Sequence, residues 1–210
     1  MRIAILGAGQ VGGRLGRIWA EAGHEIIFGL PGSVIPQVQE LLSEIGPNAR
    51  AATVPAAAAA GEVVVVATPW PVTREAVGHA GDLAGKIVID CTNPLLPDLS
   101  GLDVPAGSSA GEEMAKWASG ARVVKAFNTV AASTIGCATC GGTVLTCFYC
   151  GDDVDAKQIT RDLIALTGFD PLDVGSLDKS RMLEAFALFY IHLAVKCGLT
   201  GDFALALVRG

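Results

Sequence analysis

The chain has 210 residues, 51% hydrophobic and only 17% charged, with a formal net charge of −6 and an isoelectric point near 5.0. That balance excludes disorder, which goes with low hydrophobicity and high charge. It also excludes a nucleic-acid partner, which needs a basic surface to neutralise phosphates, and no basic run offers itself to an anionic membrane.

In chain order, "RIAIL" is a short apolar run ending at a glycine. Val11, Leu15, Ile18, Trp19 and Ala22 then recur at helical spacing up to Gly23. "EIIF" predicts a second strand. Val38, Leu41, Leu42 and Ile45 predict a second helix stopped by Gly46-Pro47, and "PAAAAAG" a short helix after it. "EVVVVA" and "KIVID" are unbroken apolar runs, the pattern of parallel strands buried on both faces. A short helix is expected over Thr73–Ala80 between them. Ser109-x-x-Glu112 is a capping box opening a helix through Trp117, and "RVVKAF" is a further strand.

Past residue 130, "GGTVLTCFYCG" predicts a strand, and Asp152 or Asp153 caps a helix carrying Ile159, Leu163 and Leu166. "FDPLDV" is a short extended piece, and Asp178 to about Val208 is helical in pattern. That last helix is apolar nearly all round from Ala185 to Val195, so it needs cover on every side, and a second subunit would supply it. Its apolar core "AFALFYIHLAV" has 11 residues, against about 20 for a membrane span. The six residues before the first glycine are too few for a secretory apolar region. A cytoplasmic protein is expected. The alternation of strands and helices predicts a doubly wound, parallel α/β sheet.

Gly7-Ala8-Gly9-Gln10-Val11-Gly12 lies between the first strand and the first helix. Gly7 suits a tight turn, Gly9 the approach of a pyrophosphate to the backbone, and Gly12 close helix–strand packing. The pyrophosphate would rest on free N–H groups at the positive end of the helix. The position that reads the adenosine ribose follows "EIIF". There Gly29-Leu30-Pro31-Gly32 offers neither the carboxylate that holds the NAD ribose nor the arginine that holds the phosphate of NADP. Ser33 and the N–H groups of Leu30 and Gly32 would form a neutral anion-binding turn. NAD and NADP both stay open.

Ligands of such sheets bind outside the carboxyl ends of the strands. That rule nominates Thr68-Pro69-Trp70, Cys91-Thr92-Asn93-Pro94 and Phe127-Asn128-Thr129, which would position flat rings rather than act as acid or base. Asp90 either steers the nicotinamide amide or caps its own turn. Cys137-x-x-Cys140 and Cys147-x-x-Cys150 have zinc-like spacing. "TVLTCFYC" reads as a strand, however, so Cys147 and Cys150 would face opposite ways and no metal is expected. Cys137 and Cys140 are either a redox pair or ordinary reduced thiols. His24 and His79 follow helix ends, and His192 lies in the apolar last helix; structural roles suffice for all three.

The opening "MRIAILGAGQVGGRLGRIWAEAGHEIIFG", the "TPW" after "EVVVVA" and the tail "CGDD…TGFDPLDVGSL…SRMLE" resemble the deazaflavin (coenzyme F-420)-dependent NADP oxidoreductase family. "VVKAFNTVAA" is similar to the related cytosolic reductase domain of six-transmembrane metalloreductases. The resemblance implies a Rossmann domain over 1–128. It also implies a smaller C-terminal region over 129–210, with a helical portion that completes the cleft and a homodimer interface. It implies hydride transfer between NADPH or NADH and a deazaflavin or flavin. Gly7, Gly9, Gln10, Val11 and Gly12 would hold the pyrophosphate, Leu30 and Ser33 the ribose end, and Thr68, Pro69, Trp70 and Asn93 the length of the cofactor. Phe127, Asn128 and Thr129 would lie near the reacting rings. The family's Ser/Arg pair for the 2′-phosphate aligns with Leu30-Pro31 and is missing. The alternatives are a module that binds NAD(P) without turnover, and a reductase of a small carbonyl or imine.

Overall fold

A computed structural model describes residues 1–199 together with Phe203, Ala204, Ala206 and Leu207. The first half runs β1 (Arg2–Leu6), α1 (Gln10–Glu21), β2 (Glu25–Leu30), α2 (Pro36–Ile45), β3 (Ala49–Thr53), α3 (Val54–Ala60), β4 (Val63–Val66), α4 (Trp70–His79) and β5 (Ile87–Asp90). The second half runs α5 (Ala110–Trp117), β6 (Arg122–Ala126), β7 (Thr139–Cys140), β8 (Thr143–Val144), β9 (Thr146–Gly151), α6 (Val154–Leu166), β10 (Asp170–Asp173) and α7 (Ser180–Val195).

Eight strands form one sheet in the order β10-β9-β6-β5-β4-β1-β2-β3. The six from β3 to β6 are parallel and carry the doubly wound Rossmann order. The C-terminal region adds β9 antiparallel to β6, and then β10 parallel to β9.

Each face of the sheet has its own core. On one side Leu15 and Trp19 of α1, Val38 of α2, and Leu163 and Ile164 of α6 pack on Ile3, Ile5, Phe28 and Val65. On the other side Val54 and Ala57 of α3, Val77 of α4 and Met114 of α5 pack on Ala4, Leu6, Ile27 and Val64. Each valine of β4 is at most 1% exposed, and burying such a side chain contributes about 1.5–3 kcal/mol. Two-sided burial is why "VVVV" reads as an unbroken apolar run.

Several elements differ from expectation. β3, "ARAAT", lacks an apolar run because it is the sheet's edge strand and only half-buried. β2 runs two residues past "EIIF", so Gly29 and Leu30 belong to the strand, paired with Ala52 and Thr53. The predicted strand "GGTVLTCFYCG" is two pieces: β8 closes a small hairpin with β7, and only Thr146–Gly151 joins the main sheet. α4 starts three residues early because Pro69 takes the N-cap and Trp70 the first helical position.

The last helix ends at Val195; of the expected extension to Val208, the part beyond Leu199 lies outside the described residues save for the four named. α7 is not covered all round: Met182, Ala185, Phe189, His192 and Val195 form one outward stripe. Among the described residues no helix is long and apolar enough to cross a membrane.

Candidate functional site

β1 and β4 are neighbours, and from them the chain winds outward in opposite directions. Their carboxyl ends therefore open a crevice of the kind that binds ligands in such sheets. β1 delivers the chain to Gly7, where φ is +102° and a Cβ would lie 2.6 Å from the Ala67 carbonyl oxygen. A Cβ on Gly12 would sit 2.0 Å from the Gly7 oxygen and 3.0 Å from Ile5. Gly9 is the opposite case, with no atom within 4 Å of where its Cβ would be. It is the N-cap of α1 and bears no side-chain cap, and the first turn holds no acidic residue. The N–H groups of Gln10, Val11 and Gly12 have no acceptor within the helix, and the helix dipole points its positive end at the open space.

After β4, the backbone N of Thr68 lies 3.2 Å from the position a Gly7 Cβ would take, so Thr68 flanks the loop. Its hydroxyl bonds that of Thr73 (2.9 Å), which in turn donates to the Pro69 carbonyl. Trp70 is more than a residue flanking the cleft. Its indole N–H donates to Asp103 O (3.0 Å) and its ring packs on Trp117 at 5.3 Å, so it braces α5 and the loop before it. Leu30 is likewise no turn residue: its side chain is buried in the α1–α2 core. Ser33 is exposed on the turn beyond it.

The ends of β5 and β6 are tied together by their asparagines. Asn93 Nδ2 donates to the Asn128 carbonyl (2.8 Å), and Asn128 Nδ2 donates to Asn93 Oδ1 (3.2 Å). Asn128 Oδ1 and Thr129 Oγ1 are buried without a hydrogen-bond partner, a state that costs about 1–3 kcal/mol for each group. Phe127 does not face the cleft. It is 1% exposed, edge-on to Trp19 at 6.0 Å, and its φ of +64° is strained for a bulky residue. The ring anchored in the core holds that strain, and the kink turns the chain from β6 into Asn128 and Thr129.

Beneath these ends lies a buried charge cluster that the motifs did not disclose. Lys125 Nζ lies 2.9 Å from Asp90 Oδ2 and 3.0 Å from Glu184 Oε1, with all three side chains fully buried. It also donates to Thr92 O (2.6 Å), next to Asn93. Asp90 Oδ1 accepts from the N–H and hydroxyl of Thr92, so Asp90 caps its turn and pairs with Lys125. Glu184 of α7 accepts from the N–H groups of Ala110 (2.9 Å) and Gly111 (3.1 Å), capping α5. Burial pushes the Glu184 carboxyl above its ordinary range, against the pull of Lys125 and the Ala110 N–H. Burial pulls Lys125 down, but Asp90 and Glu184 hold it above the ordinary lysine value. The legible signal is register: Asp90 closes an apolar strand run, Lys125 interrupts one, and the two stand opposite one another.

The three histidines lie elsewhere: His24 by the amino terminus, His79 beside Glu75 on α4, His192 on the α7 stripe. Cys147 points into the α1–α6 core, whereas Cys150 Sγ points to Leu177 O on the other face. Burial pushes both thiols up to about 12. Cys137 and Cys140 are exposed and unbridged. Among the described residues no group of three or more His, Cys, Asp and Glu is placed to hold a metal ion.

Residues 2–94 match the family described as NADP oxidoreductase, coenzyme F420-dependent. The crystal structure of a putative F420-dependent NADP reductase from Arthrobacter sp. FB24 is 32% identical over the whole of both chains, with a TM-score of 0.87. The F420-dependent NADP reductase of Methanocaldococcus jannaschii is 29% identical over 148 residues, 67% of this chain. The metalloreductase STEAP3 of Rattus norvegicus is 34% identical over 109 residues, 52% of this chain. The matched region spans 65% of the methanogen reductase and 21% of the rat metalloreductase.

Proposed function

The chain belongs to the coenzyme F420-dependent NADP oxidoreductase family, and on that footing we propose that it passes a hydride between a nicotinamide dinucleotide and a deazaflavin or flavin ring. Membership makes it an NAD(P)-dependent oxidoreductase; the second ring and the residues that meet it are our reading. The observation that carries it is the unequal crowding of the three glycines. Gly7 and Gly12 have no room for a Cβ, while Gly9 opens on empty space at an uncapped helix start.

The residues present fit the dinucleotide. Gly9, Gln10, Val11 and Gly12 would receive the diphosphate on their amides. Thr68 and Pro69 would flank it, and Ser33 would lie at the ribose end. Asn128 Oδ1 and Thr129 Oγ1, buried and unsatisfied, are the oxygens that a carboxamide N–H would satisfy, and Asn93 holds Asn128 in place. A bound reduced nicotinamide would supply the hydride, two electrons and one proton in a single transfer, and the accepting ring would take its second proton from water. The chain's share would be to fix the ring plane and keep water from between the rings; no side chain need take a proton. The outward apolar stripe on α7 supports a further proposal, a homodimer through that helix.

The test follows nicotinamide absorbance with NADPH or NADH against coenzyme F420, FMN, FAD and simple carbonyls in turn. Turnover with the deazaflavin or a flavin is the expected result. Turnover with a carbonyl alone, or tight nucleotide binding with no turnover, would refute the proposed acceptor.

A further inference from the structure

An open groove of about 880 Å³ starts at the Gly9–Gln10 loop and crosses the first turns of α1 toward the start of α2. Arg14, Arg17, Ile35 and Gln37 line it, and no carboxylate does. Arg17 is already paired with Glu44 of α2. Arg14 is exposed, and it makes no hydrogen bond or ion pair among the described residues. It follows Gln10 by one helical turn on the same face. Gln10 and Arg14 both line the groove, and helix side chains lean toward the helix N-terminus, which puts the loop within reach of the Arg14 guanidinium. On the β2 side the picture is reversed. Leu30 is buried, and the segment Pro31–Ile35 carries no cation.

A ribose 2′-phosphate is a dianion and needs a cation near it. We propose that Arg14 supplies it from α1, across the groove, and is the residue by which this chain distinguishes NADP from NAD. The inference rests on the dinucleotide reading above. A planar guanidinium offers two parallel N–H groups to one phosphate, which the neutral turn after β2 does not. The start of α2, uncapped at Ile35 and free of acidic residues in its first turn, leaves the same end of the groove without negative charge.

The test is calorimetric titration of the purified chain with NADP⁺ and NAD⁺, for the natural sequence, Arg14→Ala and Arg17→Ala. The natural chain should prefer NADP⁺. Arg14→Ala should weaken NADP⁺ roughly tenfold to a hundredfold, leave NAD⁺ within about twofold, and keep the melting temperature, since Arg14 holds nothing else in place. NADP⁺ affinity should fall more steeply with salt than NAD⁺ affinity in the natural chain, and the two slopes should converge in Arg14→Ala. A natural chain that binds both nucleotides alike overturns the inference, as does a preference that survives Arg14→Ala or vanishes only in Arg17→Ala. Those results leave the dinucleotide reading standing; a natural chain that binds neither nucleotide removes both.

Discussion

Lys125→Met removes the ammonium of the buried cluster while keeping the length and apolar stem of the side chain. Both carboxylates approach the missing nitrogen to 3.0 Å or less. Left about 5 Å apart at an effective dielectric near 20, they would repel by about 3 kcal/mol. Their other partners remain, Thr92 for Asp90 and the α5 amides for Glu184. The expected loss is therefore about 3–5 kcal/mol, the usual cost of orphaning a buried charge, or on the order of 10 °C in melting temperature for a chain of this size.

The pH dependence has a definite sign. Burial already raises the Glu184 carboxyl, and losing Lys125 raises it further. The folded variant then binds a proton more tightly than the unfolded chain. Its stability is greatest below the unfolded glutamate value and is lost as pH rises through the folded one. The deficit against the natural chain should shrink as pH falls toward the ordinary glutamate range. In the natural chain Lys125 itself is raised, so its contribution is complete below the unfolded lysine value of about 10.4 and fades only above it. Urea unfolding followed by tryptophan emission reads all of this, since Trp19 is buried in the α1–α6 core. A deficit below about 1 kcal/mol, or one that does not change with pH, would refute the reasoning.

Gly9→Val should abolish nucleotide binding and leave the melting temperature within a few degrees, whereas Gly12→Ala should destabilise by about 1–3 kcal/mol or more; both are read by thermal unfolding with and without NADP⁺. Equal melting temperatures for the two variants would contradict the crowding at Gly12, and normal nucleotide affinity in Gly9→Val would contradict the placement of the diphosphate. For the α7 dimer, Phe189→Lys should turn a sedimenting dimer into a monomer with unchanged fold, and a natural chain that is already monomeric at micromolar concentration would end that proposal.

The parts of the fold legible in the sequence were those where burial and period agree. "RIAIL", "VVVV" and "IVID" are buried on both faces and could hardly be read otherwise, and Ser109 and Asp153 cap their helices as the spacing demands. β3 escaped because an edge strand can be half-exposed and alanine-rich. The residues after "EIIF" were misplaced for a local reason: glycine in a strand signals a turn, yet here Gly29 is needed because a Cβ would come within 2.7 Å of Leu6. Phe127 is nominated for the cleft by its position after a strand. Position fixes where a backbone ends, and packing against Trp19 decides where the ring goes. Lys125 and Glu184 are invisible to motif spacing because they lie on elements separated by β7, β8, β9, α6 and β10.

That cluster also bears on how the site keeps its shape. Hydride transfer between rings, as proposed, asks for fixed planes more than for acid or base, so rigidity beneath the proposed nicotinamide end would take the place of a catalytic side chain. Lys125 grips Thr92 O, Thr92 adjoins Asn93, and Asn93 holds Asn128. Glu184 carries the same network through the start of α5 into α7. The helix that presents the outward stripe is therefore bonded to the floor of the cleft. If a second copy packs on α7, it presses on an element whose buried carboxylate reaches the ammonium behind the site. Assembly and positioning would then draw on one set of charges, so Lys125→Met should weaken both together, whereas Phe189→Lys, which leaves the charges intact, should weaken assembly first.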